Sequence, residues 1–362
     1  MPVSAARDAS VRSRRVRRRR WRSWVDAPPP RAGPRGSVPF RHAARPPVPG
    51  WRRARDPAPA DVLILGASFA GLAAATALGR SLRDVLVVDG GPPRNAPSPG
   101  AHNVLTRDGV PPTELVRLAR AEAEGYGARV IEGEAVRASA GAEGVTATLA
   151  DGTVLRARRL LLATGVRDLL PEIPGLGARW GREVLHCPYC HGFEVRGRRI
   201  GVLGSSFAGH QAQMFRQLSD RTSILLHGAP APAGDEAAAL AARGIALVPG
   251  RVERVLVEDD RLVGVVIDGR RHELDALVVG PRVEGRLPEG LGLELADHPS
   301  GVARHLAVDP MGRAGVAGVF AAGSLVEPMA QVVASSADGL RVGAAIHHDL
   351  IEEEIAAALR AA

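Results

Sequence analysis

The sequence predicts an α/β protein built on two Rossmann-like nucleotide-binding units. Three observations carry this. A strand, a glycine turn, a helix and a second strand follow one another twice in the chain. The tetrapeptide Ser-Phe-Ala-Gly recurs inside both turns, at residues 68–71 and 206–209. The length of 362 residues suits two domains of about 150 residues each. Apolar residues at 45% and charged residues at 24% are those of a folded globular chain. No apolar run approaches the roughly 18 residues that a spanning helix needs, so no membrane partner is expected. Aromatic residues make up only 3%, which leaves Ala, Val, Leu and Ile to build the core. All 47 basic residues are Arg, which together with abundant Ala and Gly reads as a coding-composition bias.

Charge is unevenly distributed. Residues 1–60 hold 16 Arg against Asp8, Asp26 and Asp56, a net +13, so the remainder carries −5 of the formal +8. The first 58 residues are rich in Arg and Pro and have no apolar period. Such a segment cannot bury enough surface to offset its ordering entropy, and a disordered tail is expected over 1–58. Two functional readings compete with it. One is a nucleic-acid-binding arm aided by Trp21 and Trp24. The other is a twin-Arg export signal at Arg14-Arg15, which lacks the apolar stretch that should follow. Nucleic acid is therefore the less favoured partner.

The first unit starts with Asp61-Val-Leu-Ile-Leu65, a short buried strand. It enters Gly66-Ala-Ser68-Phe-Ala-Gly71, then an Ala-rich helix over Leu72–Leu78. A second strand, Val85–Val88, ends at Asp89, 23 residues after Gly66. These are the parts of a dinucleotide site. Gly66 permits the tight turn, Gly71 lets helix and strand approach, and the helix N-terminus offers N–H groups to a pyrophosphate. Asp89 can accept from ribose hydroxyls. Ser68 replaces the middle glycine, and its hydroxyl is available to a phosphate.

The second unit runs from the strand Arg199–Leu203 into Gly204-Ser-Ser206-Phe-Ala-Gly209, a helix over His210–Leu218, and the strand Thr222–Leu226. Its closing strand has no acid after it, and no Arg cluster apart from Arg243, so NADPH and NADH both stay open. Two such units suit two nucleotides, a flavin and a nicotinamide, with hydride passing between them.

The chain has two cysteines, Cys187 and Cys190, in His186-Cys-Pro-Tyr-Cys-His191. That spacing allows a reducible disulfide. Pro188 suits a first helical position, which puts Cys187 at a helix start where a thiol pKa falls. His191 stands next to Cys190 as an acid or base for thiol–disulfide exchange. Zinc is disfavoured because His186 and Cys187 point apart and no second cysteine pair exists, so no metal is expected. A glutaredoxin-like module does not fit in the 13 residues before Gly204. Two inert thiols remain a competing reading.

In order, the chain shows a flavin-type fingerprint, Ala163-Thr-Gly165, the Cys-x-x-Cys pair, a nicotinamide-type fingerprint and Gly-Val-Phe-Ala-Ala-Gly323. This resembles the low-molecular-weight thioredoxin reductases over about residues 60–350. Asp89-Gly-Gly-Pro-Pro-Arg94-Asn95, His102–Gly109 and His186–Glu194 are similar to the branch of gliotoxin-type dithiol oxidases and related bacterial FAD-dependent disulfide oxidoreductases. That branch also has His after the second cysteine.

The resemblance implies an FAD-binding domain over 59–167 and 283–350, with an NAD(P)H-binding domain inserted at 168–282 and a fraying C-terminal helix over 351–362. It implies FAD held by Gly66, Ser68, Gly71 and Asp89, with Arg94 and Asn95 on the adenine side and Asn103 near the ring. Gly165 marks the domain crossing, and Gly323 begins the segment around the isoalloxazine. Ser324 stands where the family has Asp, and Gln331 starts a helix beside the ring. Gly204, Ser206 and Gly209 are left for NADPH, with NADH possible. Cys187, Cys190 and His191 would be catalytic, moving electrons from NAD(P)H through FAD to a thioredoxin-like protein or a small-molecule disulfide.

A dithiol oxidase running in reverse with O2 is an alternative, as is a flavin NAD(P)H oxidase or ferredoxin–NADP reductase relative that does not use the cysteines. A nucleotide-sensing or nucleic-acid-binding protein using the Arg arm is the reading from another class. Homodimerisation follows from the resemblance. The Cys-x-x-Cys pair without an export signal favours the cytoplasm.

Overall fold

The computed structural model describes residues 59–362, so the tail read over 1–58 lies outside the described residues. Val62 to Leu65 are all fully buried, and they form β1 (Ala60–Leu65). Such burial is expected of a strand covered on both faces, Val62 and Ile64 by helices and Leu63 and Leu65 by the strands within 135–162 and the loops around Leu291 and Leu306. The glycine turn leads into α1 (Phe69–Arg80). This helix starts before the apolar pattern at Leu72, because the Leu72 N–H donates to the Ser68 carbonyl at 2.9 Å. β2 (Val85–Asp89) lies parallel to β1. After α2 (Pro112–Gly125), β3 (Arg129–Glu132) extends the parallel set. β4 (Ala135–Gly141) and β5 (Gly144–Leu149) form an antiparallel hairpin, and β6 (Val154–Leu162) returns parallel to β1. The strand order is β3-β2-β1-β6-β5-β4.

β7 (Val166–Leu169) leaves this sheet. β8 (Val184–Leu185) precedes the single turn of α3 (Pro188–His191), which carries the cysteine motif. β9 (Ile200–Leu203), α4 (Ala208–Arg216), β10 (Thr222–Leu225), α5 (Gly234–Ala242) and β11 (Ala246–Val248) repeat the βαβ pattern. β12 (Val252–Glu258), β13 (Arg261–Ile267) and β14 (Arg270–Glu273) make a separate antiparallel sheet. β15 (Ala276–Val278) then rejoins the second parallel sheet, whose order is β11-β10-β9-β15-β8. The described residues thus hold one mixed sheet and one parallel sheet, each with a glycine turn at the carboxyl end of a central parallel strand, β1 and β9.

β16 (Arg282–Gly285) runs antiparallel to β7, with Val283 opposite Asp168. The outgoing and returning strands are therefore neighbours. They share a four-stranded sheet with β17 (Ala296–Asp297) and β18 (Ala303–His305). β19 (Val319–Ala321) rejoins the first sheet beside β6, and α6 (Val332–Ala361) follows. Val342, Ile346 and Leu350 on α6 are fully buried in the same core as Ala74 and Leu78 of α1. Gly339 and Gly343 bring the helices close, since a Cβ at Gly339 would stand 2.0 Å from the Ala70 carbonyl.

The helix expected over 351–362 is the continuation of α6, which runs without a break from Val332. Its acidic residues hold it down: Glu353 pairs with Arg158 and Arg159 at 3.0 and 2.6 Å, and Glu354 with Arg83 and Arg158 at 2.5 and 2.9 Å. Among the described residues no helix is long and apolar enough to cross a membrane.

Candidate active site

The first glycine turn is built for close approach. Gly66 has φ +114°, and a Cβ there would stand 2.2 Å from the Ala163 carbonyl. Only glycine satisfies both conditions. The Ser68 hydroxyl makes no capping bond to the helix it precedes, which leaves it available to an incoming anion. Asp89 accepts from the Gly91 N–H at 3.0 Å and faces Arg120 at 3.5 Å.

Gly66 and Ser68 open onto a cleft of about 1250 Å³ that also reaches Cys187, Cys190, His191 and Gln331. Arg94, Asn95, Gly165 and Ser324 line it as well. Asn103 adjoins it by its contacts with Tyr189 and Gln331. Gly71, Asp89 and Gly323 stand outside its lining. Of the second glycine turn, Phe207 alone lines the cleft, so Gly204, Ser206 and Gly209 are not brought to the sulfurs in this conformation.

The two cysteines are free thiols with Sγ atoms 2.8 Å apart. Gln331 Nε2 lies 3.6 Å from Cys190 Sγ and 3.9 Å from Cys187 Sγ. Gln331 is in turn reached by Asn103 Nδ2 at 3.4 Å, and the same amide donates to the Tyr189 carbonyl at 2.9 Å. Asn103 holds a left-handed φ of +61° to do so. The sulfurs are electrostatically unequal. The hydrogen bond from Cys190 lowers the Cys187 pKa to about 7, with help from the backbone N–H groups of Cys190 and Tyr189 and from Gln331. Donating that bond, together with burial, pushes the Cys190 thiol up. Alkylation of Cys187 by iodoacetamide in the reduced protein is therefore expected to rise through a midpoint near pH 7. Cys190→Ala should move that midpoint upward, and an unshifted midpoint would refute the pairing.

Three features around the pair had no local signal in the sequence. His102 Nδ1 lies 3.1 Å from Asp108 Oδ2, and its Nε2 lies 3.4 Å from Glu194 Oε1, beside His191. His186 stacks on Trp180 with ring centroids 5.7 Å apart. Arg94 pairs with Asp168 through two hydrogen bonds and donates to the Pro328 carbonyl at 3.2 Å. Burial, and then the charge of Arg94, lowers the His186 pKa to about 4. Burial also lowers the His191 pKa, which favours the neutral imidazole that can take a thiol proton. Arg94, expected on the adenine side, is thus placed within electrostatic reach of His186 and Cys190, because its partner Asp168 sits on β7. Ser324, in the position where an Asp was expected, stands beside Gly165. The carboxylate nearby comes from the helix instead, where Asp338 accepts the Gly323 N–H at 2.7 Å. Among the described residues no cluster of three metal-ligating side chains is present.

Paired βαβ units with a dithiol in the cleft of the first define a two-nucleotide disulfide oxidoreductase. The chain belongs to the pyridine nucleotide-disulphide oxidoreductase family, whose sequence profile matches residues 60–339. It is 30% identical over 319 residues to thioredoxin reductase sirT of Leptosphaeria maculans, covering 82% of this chain and 96% of that protein. Thioredoxin reductase tcpT of Claviceps purpurea is 33% identical over 278 residues, covering 73% and 85%. The crystal structure of HlmI is 40% identical and superposes with a TM-score of 0.78 over 84% of this chain and 96% of that one.

Proposed function

We propose that this enzyme exchanges electron pairs with an external disulfide through Cys187 and Cys190, with NAD(P)H and FAD as its redox partners. The observation that carries the reading is the free thiol pair, 2.8 Å apart, in the same cleft as the Gly66 turn. That cleft suits a dinucleotide: it is large, its turn is closed to any side chain at Gly66, and the Ser68 hydroxyl is uncommitted. In this reading Gly66, Ser68 and the start of α1 hold the pyrophosphate, Asp89 the ribose, and Asn103, Gly323 and Gln331 the ring end. A bound flavin supplies two-electron transfer between the nicotinamide and the cysteine pair.

The chain's own residues do the sulfur chemistry. The Cys187 thiolate attacks one sulfur of the external disulfide, forming a mixed disulfide and releasing one thiolate. Cys190, losing its proton to neutral His191, attacks Cys187 Sγ and releases the second thiolate. The external disulfide gains two electrons and the cysteine pair loses two. Tyr189, between the two cysteines in sequence, and Phe193, two residues past His191, are 67% and 63% exposed. The acceptor is a thioredoxin-like protein or a small-molecule disulfide. The reverse direction, oxidation of an external dithiol with O2 reduced to hydrogen peroxide, can use the same neutral His191, which accepts a proton from an incoming thiol as readily as from Cys190.

We assign the flavin unit to 59–167 and 283–350 and the nicotinamide unit to 168–282. The second glycine turn lies outside the cleft lining apart from Phe207, so this reading requires the inserted unit to turn about the β7–β16 pair between half-reactions. A homodimer in the cytoplasm completes the proposal. The test is an anaerobic absorption titration of the purified protein. A yellow protein that bleaches with NADPH or a dithiol and recovers with a disulfide or O2 is expected. A protein that takes up no flavin, or bleaches and recovers with neither, sinks the reading.

A further inference from the structure

The His191 backbone N–H donates to the Cys187 carbonyl at 3.2 Å, but its ring forms no hydrogen bond among the described residues. What acts on the ring is charge. From α3 the chain runs through a single 3₁₀ turn over Phe193–Val195. The Glu194 carboxylate on that turn favours the imidazolium form of His191, against the effect of burial. Glu183, just before β8, acts in the same sense, and His102 acts in the opposite one.

His102 comes from a distant stretch of chain, the loop between β2 and α2. Asp108 braces that loop by accepting the Asn103 N–H at 2.8 Å. The His102 ring is held between two acids, with Nδ1 3.1 Å from Asp108 Oδ2 and Nε2 3.4 Å from Glu194 Oε1. The ring and the Asn103 N–H together hold the Asp108 carboxyl below the usual carboxylate range. A carboxylate oxygen thus faces each ring nitrogen of His102, and only the doubly protonated ring can donate to both. Glu194 therefore serves two imidazoles, His102 across the edge of the cleft and His191 on its own segment.

We propose that Glu194 is a positioning residue for the resolving step, shared between His191 and His102. When Cys190 attacks Cys187 Sγ its proton passes to His191, and Glu194 steadies the imidazolium that results. His102, holding Glu194 from the other side, sets how much of that carboxylate His191 receives. Neither residue makes or breaks a bond to sulfur. The inference rests on the sulfur chemistry proposed above. It also carries a conformational consequence. His102 belongs to 59–167 and Glu194 to 168–282, so a turn of the inserted unit parts them and leaves Glu194 to His191 alone.

Proton–carbon NMR of the full-length flavoprotein, labelled with carbon-13 histidine, tests it. The His191 ring resonance, identified by its loss in His191→Gln, should titrate below the ordinary histidine range, as burial requires. Glu194→Gln should move that midpoint down by about one pH unit, and His102→Asn should move it up by less. Opposite signs are the signature, since a general loosening of the site would move both variants the same way. An unmoved midpoint in Glu194→Gln overturns the role of Glu194. A midpoint that stays or falls in His102→Asn overturns the sharing. The midpoint is read without turnover, so either failure leaves the sulfur chemistry standing. A protein that takes up no flavin, or exchanges no disulfide, overturns the proposed function and this inference with it.

Discussion

Cys190→Ser should abolish turnover of disulfide substrates, by at least about a thousandfold, while NADPH-driven reduction of an artificial dye survives. The reason lies in the division of labour between the sulfurs. Cys187 has the lowered pKa and Cys190 the raised one, so in the proposed mechanism Cys187 is the attacking thiolate and Cys190 keeps its proton and resolves. Removing the resolving sulfur leaves the attack intact, so the reaction should stop one step along. Cys190→Ser incubated with a disulfide should accumulate a mixed disulfide on Cys187, visible as one added thiol by intact mass. The serine hydroxyl still donates to the Cys187 thiolate, so its reactivity should persist. Cys187→Ser should be equally inactive but trap nothing, because Cys190 is left as a high-pKa thiol. A Cys190→Ser enzyme that turns over disulfides at the wild-type rate would show that the pair is not the working centre.

Much of this was legible without coordinates, for a reason particular residues make plain. Gly66, Gly71 and Asp89 lie within one βαβ unit, and Cys187, Cys190 and His191 within one turn of helix. Their chemistry is local, so spacing alone exposes it. The contacts that tune them are not local. Asp168 meets Arg94 across 74 residues, and Gln331 meets Cys190 across 141. Asp338 meets the Gly323 N–H across 15 residues. No periodicity announces such pairs. The β12–β14 sheet is a different case, because its signals were present. Asp259-Asp260 and Asp268-Gly269 all have positive φ, between 46° and 74°, as two-residue hairpin turns require. Aspartate and glycine at those points, between alternating apolar strands, mark two hairpins. The helical character of the Ala- and Glu-rich end of α6 was legible in the sequence, but its ion pairs with Arg83, Arg158 and Arg159 were not, because those partners lie about 190 to 270 residues away in sequence.

Gly66→Ala should cost the protein its flavin. A Cβ at this position would sit 2.2 Å from the Ala163 carbonyl oxygen and 2.7 Å from its carbon. Both are backbone atoms at the end of β6, which is paired to β1 along its length and cannot recede without breaking that register. The φ of +114° adds strain of its own for any L-residue. Together these should lower stability by about 2–4 kcal/mol and displace the turn proposed to hold the phosphates. Purified Gly66→Ala should be colourless or strongly depleted by its visible-to-ultraviolet absorbance ratio, with a lower melting temperature. Gly204→Ala separates local from general damage. Its Cβ would collide with the Leu226 carbonyl at 2.0 Å, an equivalent insult in the second sheet. That variant should keep its yellow colour and lose affinity for pyridine nucleotides instead. If Gly66→Ala retained a full complement of flavin, or Gly204→Ala lost its own, the two turns could not be divided between the two nucleotides as their geometry implies.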